Sequence, residues 1–433
     1  MVHGNGQRPD SHSRYDEESV MSLFTLTPAE LNAHALAAGF ALAGVAALDH
    51  EAVSGSASGA VIGSGGREQY DPVSEARDAV EQGSASYLEQ WIAQGYAGEM
   101  DYLKRRNEAG ELLRARVRAV IPWARSVIVC ATRYDVPGPR SLDPAPPGAG
   151  WIARYAWAGQ PDPATGELRP SDYHDTLLVR LRHLEDTLHA AMPEPFDSRS
   201  YVDTGPFIER DLARRAGIGW IGKNTCTLNQ RLGSMFFIGC IVTSLEVPPS
   251  VRPLPAEDRC GTCRRCIEAC PTDALIAPRQ MDASRCIAYL TIEKRGPIPE
   301  ELRAPIGRQV FGCDICQEVC PWTRKVFLAG YTKNTLQDIS EARFVTNTRG
   351  ELVNPALEWL AALDVREFNR RFAGSPVKRT KRIGLLRNVA IAMGNSGDPQ
   401  FLPRLKEWAA APDQDPVLAE TASWAIAQIQ SLQ

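Results

Sequence analysis

The sequence predicts an α/β (α+β) core followed by a ferredoxin-like cysteine domain and an all-α, HEAT-like C-terminal domain. Three observations carry that reading. Strand-type and helix-type apolar patterns alternate through residues 21–250, eight of the eleven cysteines fall in the sixty-one residues from Cys260 to Cys320, and beyond residue 326 only helical patterns occur.

The 433 residues allow two to four domains, and 44% hydrophobic with 23% charged residues is ordinary globular composition. A net charge of −4 gives no general affinity for nucleic acid, so any such site must be a local patch. Residues 1–20 are polar, with no secretory or twin-arginine signal, and read as a disordered tail. No stretch approaches the roughly 18 uncharged apolar residues of a membrane helix. A cytoplasmic protein with no membrane partner is expected.

In chain order, Leu26–Ala46 reads as a helix capped by Thr25 or Thr27, and Ser54–Gly66 as a flexible Gly/Ser/Ala insertion. Arg125–Ala131 is a short β-branched run of buried-strand type. His174–Met192 carries Leu177, Leu178, Leu181, Leu184 and Leu188 at helical spacing. Ser200–Asp203 ends a strand, Phe207–Ala216 is a helix, and Ser234–Ser244 is a second buried strand. These elements make residues 21–250 one domain. The Pro-rich run Val247–Pro255 opens the cysteine domain, 251–325. In 326–433 the helical patterns Arg382–Met393, Phe401–Ala410 and Val417–Gln430 are split by turn segments; a HEAT-like unit and a plain helical cap fit them equally.

The cysteines carry the most specific chemistry. Cys260-x2-Cys263-x2-Cys266-x3-Cys270-Pro271 is the bacterial ferredoxin run, in which three thiolates hold one 4Fe-4S cube and the fourth reaches another. The second run, Cys313-x2-Cys316-x3-Cys320-Pro321, lacks one ligand, and Cys286 between the runs completes the count. Cys260, Cys263, Cys266 and Cys320 are assigned to one cube, and Cys270, Cys286, Cys313 and Cys316 to the other. Zinc ribbons use separated Cys-x2-Cys pairs and do not need two interleaved runs. Disulfide frameworks belong to short secreted chains.

Around these runs the chain resembles the epoxyqueuosine reductases of bacterial tRNA modification. The resemblance rests on Tyr201-Val-Asp-Thr-Gly-Pro206 with Glu209-Arg210, on Ala216-Gly-Ile-Gly-Trp-Ile-Gly-Lys-Asn224 and on Gly98-Glu-Met-Asp-Tyr-Leu103 with Arg105. It extends to Arg154-Tyr-Ala156 with Asp172-Tyr-His174, Cys286-Ile-Ala-Tyr-Leu-Thr-Ile-Glu293, Phe311-Gly-Cys-Asp-Ile-Cys316 and Lys381-Arg-Ile-Gly-Leu-Leu-Arg-Asn388. It covers the chain from about Leu26 to the C-terminus. It implies a cobalamin-binding core that reduces epoxyqueuosine to queuosine at wobble position 34 of tRNAs with GUN anticodons, the clusters passing electrons from a donor such as flavodoxin or ferredoxin. It also implies that Arg105, Asp203, Lys223, Thr227, Ile238 and Asp314 lie near the corrinoid.

Opening an epoxide to an alkene expels oxygen and needs a proton. Asp203 is the expected donor, its pKa raised by burial against the corrinoid. The bland alternative has Asp203 capping the helix after it or holding its turn. Aspartic proteases need two facing Asp-Thr-Gly segments, and this chain has one. Leu177 stands where cobalt-ligating histidine motifs carry Gly, which argues against His174 on cobalt. Reductive dehalogenases share the cobalamin-plus-two-cubes core but carry export signals and no basic tail, and a pure electron-transfer protein needs no acid at Asp203.

The tail is basic. Arg366, Arg370, Arg371, Lys378, Arg379, Lys381, Arg382 and Arg387 face one acid, Glu367, in twenty-two residues. Contacts to tRNA phosphates are the expected use, Lys378, Arg379, Lys381 and Arg382 foremost; a solvated helix face is the alternative.

Overall fold

The computed structural model describes residues 22–48, 84–161, 164–166, 168–329, 347–411 and 415–433. The expected tail 1–20 and the insertion Ser54–Gly66 lie outside them.

A four-stranded sheet forms the centre. β1 (Leu42–Ala47), β2 (Ser126–Arg133), β3 (Ser198–Tyr201) and β4 (Phe236–Thr243) stand in the order β1-β2-β4-β3, with every neighbouring pair antiparallel. The alternating strand and helix signals therefore resolve to an α+β layer and not to parallel βαβ units. β2 is buried along its whole length because both faces are covered. Ile128 and Cys130 face the core that also holds Leu177, Leu181, Leu184 and Leu188 of one helix. Val127, Val129 and Ala131 face the core built with Leu212 and Ala213 of another.

The first helix corrects the expectation of one element over Leu26–Ala46. α1 covers Pro28–Ala37, opened by a capping box between Thr27 and Glu30. It stops where Gly39 takes φ +85, and after Phe40 and Ala41 the chain becomes β1. α2 (Tyr173–Ala191) is capped by Asp172, and α3 (Glu209–Arg215) follows β3. A helix at Ser84–Ala93 was not anticipated.

The cysteine region is tied to both neighbours. Gln309–Phe311 pairs in parallel with Trp151–Ile152 of the core. α4 (Ile287–Ile292), which starts at Cys286, is gripped by α5 (Lys381–Ser396), with α6 (Leu402–Ala409) and α7 (Pro416–Ser431) behind. Arg387 of α5 donates to the carbonyls of Leu290, Lys294 and Gly296 at 2.6–2.9 Å, and Asn388 to those of Thr291 and Val310 at 2.8 and 2.9 Å. Arg387, counted above among the basic-patch cations, is thus fully buried and satisfies carbonyl groups that would otherwise be orphaned. One apolar core runs without a break from Phe24 through the sheet to Ile429.

Candidate active site

Asp203 sits two residues past β3, in the turn that leads to α3, with φ +55. Asp tolerates this left-handed backbone better than most residues, and such strain persists where the surroundings hold it. The turn presents the carboxylate to a cavity of about 450 Å³ lined by Tyr155, Asp172, Tyr173, His174, Glu293 and the segment Gly374–Lys381. The capping alternative fails, because Ile208 is the N-cap of α3 and no side chain caps it.

Two residues at the start of α2 hold that carboxylate. The Tyr173 hydroxyl donates to Asp203 Oδ2 at 2.7 Å, and His174 Nε2 stands 3.8 Å from the same oxygen. Asp172 Oδ1 lies 2.7 Å from His174 Nδ1, so Nε2 is left to face Asp203. The Tyr173 ring stacks on Phe237 of β4 at 4.2 Å and meets Tyr155 edge-on at 6.0 Å, which fixes the hydroxyl.

The electrostatics reverse the expected protonation. The His174 imidazolium, aided by the Tyr173 hydroxyl, holds Asp203 down to about 2 against the opposing effect of burial. Burial alone would lower His174, but its partners Asp172 and Asp203 outweigh it and raise it to about 9. At neutral pH the proton therefore resides on His174 and Asp203 is the carboxylate. The expected upward shift of Asp203 is corrected because two donors converge on it from α2. Glu209, six residues on, is pushed up to about 7, chiefly by burial and then by Asp203.

Glu209 faces a second cavity. Tyr87, Trp91, Phe207, Ile221 and Met281 line it with apolar surface, and Arg114 and Arg210 converge there. Glu209 Oε1 is buried without a partner, as is Thr227 Oγ1.

The other residues expected near the corrinoid line neither cavity. Lys223 Nζ donates to the carbonyls of Gly261 and Cys263 at 2.5 and 3.0 Å, which ties the core to the first cysteine loop. Asp314 is buried; its carboxylate accepts from Arg154 N at 2.7 Å and Gln317 Nε2 at 3.3 Å, and burial foremost raises it to about 6. Ile238 is half-buried on β4, and Arg105 is exposed beyond the 101–103 turn.

The cysteines gather in two sets. Beyond the effect of burial, Cys260 and Cys320 act on Cys266, and Cys263 acts on Cys320. Cys286 and Cys270 act on Cys313; on Cys316 Cys226 acts foremost, ahead of Cys313 and Cys286. Among the described residues no three His, Cys, Asp or Glu converge tightly enough for a single ion. In a cube each thiolate takes its own iron, so the ligands stand apart. Cys226 lies outside both runs, and its nearness to Cys316 holds its thiol below the usual range.

The basic segment divides. Lys378, Arg379 and Lys381 line the Asp203 cavity itself. Arg379 also pairs with Glu293 at 2.7 Å. Arg370 and Arg371 are engaged by Glu367, and Arg382 Nε donates to Leu363 O at 2.7 Å. Arg366 is exposed. Three cations of the patch expected to contact tRNA phosphates thus line the cavity that holds Asp203.

Residues 259–323 match the family profile described as "4Fe-4S double cluster binding domain", and residues 114–204 match "Epoxyqueuosine reductase QueG, DUF1730". A curated epoxyqueuosine reductase of Xanthomonas campestris is 37% identical over 346 residues, 79% of this chain and 88% of the relative. The Escherichia coli K12 protein of the same name is 35% identical over 79% of this chain and 81% of its own. This chain belongs to the epoxyqueuosine reductase family.

The fold agrees. A crystal structure of an epoxyqueuosine reductase with an epoxyqueuosine-modified tRNA-Tyr stem loop superposes with a TM-score of 0.68 at 28% identity, over 93% of this chain and 89% of that one. The Bacillus subtilis epoxyqueuosine reductase, seen with a catalytic aspartate loop swung out of its active site, superposes with 0.67 at 27% identity over 93% and 90%. For this reductase, sequence reasoning placed Asp203 but left Tyr173 and His174 without a role. The adjacent Asp172-Tyr-His174 triplet at a helix start was the available signal.

Proposed function

We propose that this reductase converts epoxyqueuosine to queuosine at the wobble position of tRNAs with GUN anticodons, in the last step of queuosine formation, with cobalamin and two 4Fe-4S clusters as its electron path. The HEAT-like helical tail supplies the tRNA-facing cations, and the enzyme works in the cytoplasm. The observation that carries this reading is Asp203: one carboxylate, held by Tyr173 and His174, in a cavity whose other wall is Lys378, Arg379 and Lys381.

The reaction consumes two electrons and two protons and yields the alkene and water. His174 stores one proton next to Asp203. Asp203 takes that proton from Nε2 and passes it to the departing oxygen, solvent supplies the second proton that completes water and later reprotonates Nε2, while Asp172 compensates the imidazole and Tyr173 keeps the carboxylate aimed. Lys378 and Lys381 hold phosphates of the anticodon loop, so that the modified base is splayed into the cavity, as enzymes acting on a base require.

The residues fit a corrinoid. The second cavity offers the apolar, aromatic surface that a large macrocycle needs, and the partnerless Glu209 Oε1 at that cavity offers hydrogen bonding for amide side chains. A corrinoid held there would supply the reducing equivalents for the epoxide.

The test is anaerobic turnover of epoxyqueuosine-bearing GUN stem-loops by reduced enzyme, with and without added cobalamin. Queuosine should form only with cobalamin, and far faster in the stem-loop than in the free nucleoside. Equal conversion without cobalamin, or of the free nucleoside, contradicts the reading.

A further inference from the structure

The two cysteine sets differ in what surrounds them. The inner set, Cys270, Cys286, Cys313 and Cys316, brackets buried Asp314, which accepts from Arg154 N; the next residue, Tyr155, lines the Asp203 cavity. The outer set, Cys260, Cys263, Cys266 and Cys320, lies under an exposed loop, although Cys320 itself is buried and its other three members are half-buried. Gly261 and Thr262 between its first two ligands are exposed, as are Arg264 and Arg265 between its second and third. Electrons for the site therefore have a surface entrance on one side and a buried exit on the other.

The entrance carries a directional charge. The acids of the segment 257–268 are already matched: Glu257 with Arg259 at 3.2 Å, Glu268 with Arg264 at 3.9 Å, and Asp258 with Arg279. Arg265, Arg324 and Lys325 remain, all exposed and without an ion pair among the described residues. Half-buried Trp322 sits among them, with Lys325 Nζ 6.0 Å from its ring and its Nε1 donating to Arg259 O at 3.3 Å. Trp322 meets Trp220 edge-on at 5.4 Å, and Trp220 Nε1 donates to Cys260 Sγ at 3.4 Å. A partly apolar anchor beside the cations Arg324 and Lys325, linked through Trp220 to the ligand Cys260, with Arg265 exposed between the ligands Cys263 and Cys266, has the composition of a transient docking face.

We propose that this face, centred on Trp322, Arg265, Arg324 and Lys325, docks an acidic one-electron carrier protein that reduces the outer cluster. The proposal rests on the reading of two 4Fe-4S clusters. Each encounter oxidises the carrier's redox group by one electron and reduces the outer cluster by one. Two encounters match the two electrons of one epoxide, and the two protons come from the Asp203 site and solvent.

The experiment uses the holoenzyme and a reduced acidic 2Fe-2S ferredoxin as probe, following cluster bleaching by stopped flow at several ionic strengths. The parent should react fastest at low salt. The Arg265→Glu/Lys325→Glu variant should lose at least about tenfold in second-order rate, with a flattened salt dependence. The milder Arg265→Gln/Lys325→Gln pair should fall between. Methyl viologen radical, a small cation that needs no protein docking face, should reduce parent and variants alike, and iron content should be equal. A parent-like ferredoxin rate in the charge-reversed enzyme overturns the proposal, as does an equal loss with the viologen, which places the effect on the cluster and not on docking. Parent enzyme that neither reductant bleaches overturns the cluster reading underneath.

Discussion

At the scale of the residue, the proton budget is set by His174 and Asp203 together. Asp203→Asn keeps the shape and removes the carboxylate, so turnover should fall on the order of 10²–10⁴-fold while stem-loop affinity stays near the parent's. The pH profile separates the partners. His174 is raised from an ordinary value near 6.5 to about 9, so its attraction for Asp203 is fully present below the ordinary value and is lost as pH rises through about 9. Asp203 is depressed, so its share persists above the ordinary carboxylate range and is lost only as pH falls toward about 2. Activity should therefore hold through neutral pH and drop on an alkaline limb near 9. His174→Gln should abolish that limb along with most of the rate, and a parent-like limb in this variant would assign it to another group. Asp203 was legible in the sequence because its segment is distinctive. Its protonation state was not, since it depends on two side chains thirty residues upstream that only the turn after β3 brings near.

At the scale of the element, α5 clamps the cluster domain onto the core. Arg387, lowered to about 10 mainly by burial, gives its guanidinium to three carbonyls around α4. Arg387→Ala should cost about 3 kcal/mol or more, read as a lower thermal midpoint with early cluster loss, because it orphans buried acceptors. A parent-like midpoint would show that water replaces the guanidinium. The same residue shows why charge counting misleads: a basic run in sequence does not say which cations face solvent. The strands Ser126–Arg133 and Phe236–Thr243 were readable because two-sided burial writes continuous apolar runs. β1 was not, since LAGVAA is small, weakly patterned and continues the helix-like composition of α1.

At the scale of the whole molecule, the proposal joins crossed cysteine sets to a cavity that carries Asp203 and three cations. Anaerobically purified enzyme should contain about eight iron and eight sulfide per chain. Cys270→Ala and Cys320→Ala should each disturb both clusters; half the iron in fully loaded parent enzyme would contradict the crossed assignment. Replacing Lys378, Arg379 and Lys381 by Ala removes about 0.7–0.9 per lost phosphate contact from the slope of log affinity against log salt, about 2 in all. Because these residues line the Asp203 cavity, turnover on the stem-loop should fall too, and an unchanged slope would move the tRNA elsewhere. The two clusters were legible in spacing alone, whereas the meeting of the basic segment with Asp203 joins residues far apart in the chain and needed the fold. The central claim meets its most direct test in one anaerobic single-turnover measurement: reduced, cobalamin-loaded enzyme mixed with epoxyqueuosine stem-loop, queuosine counted per active site. The account predicts one queuosine per loaded site for the parent and a rate on the order of 10²–10⁴ lower for Asp203→Asn with clusters and corrinoid intact; no queuosine from the loaded parent, or an undiminished rate in the variant, would contradict it.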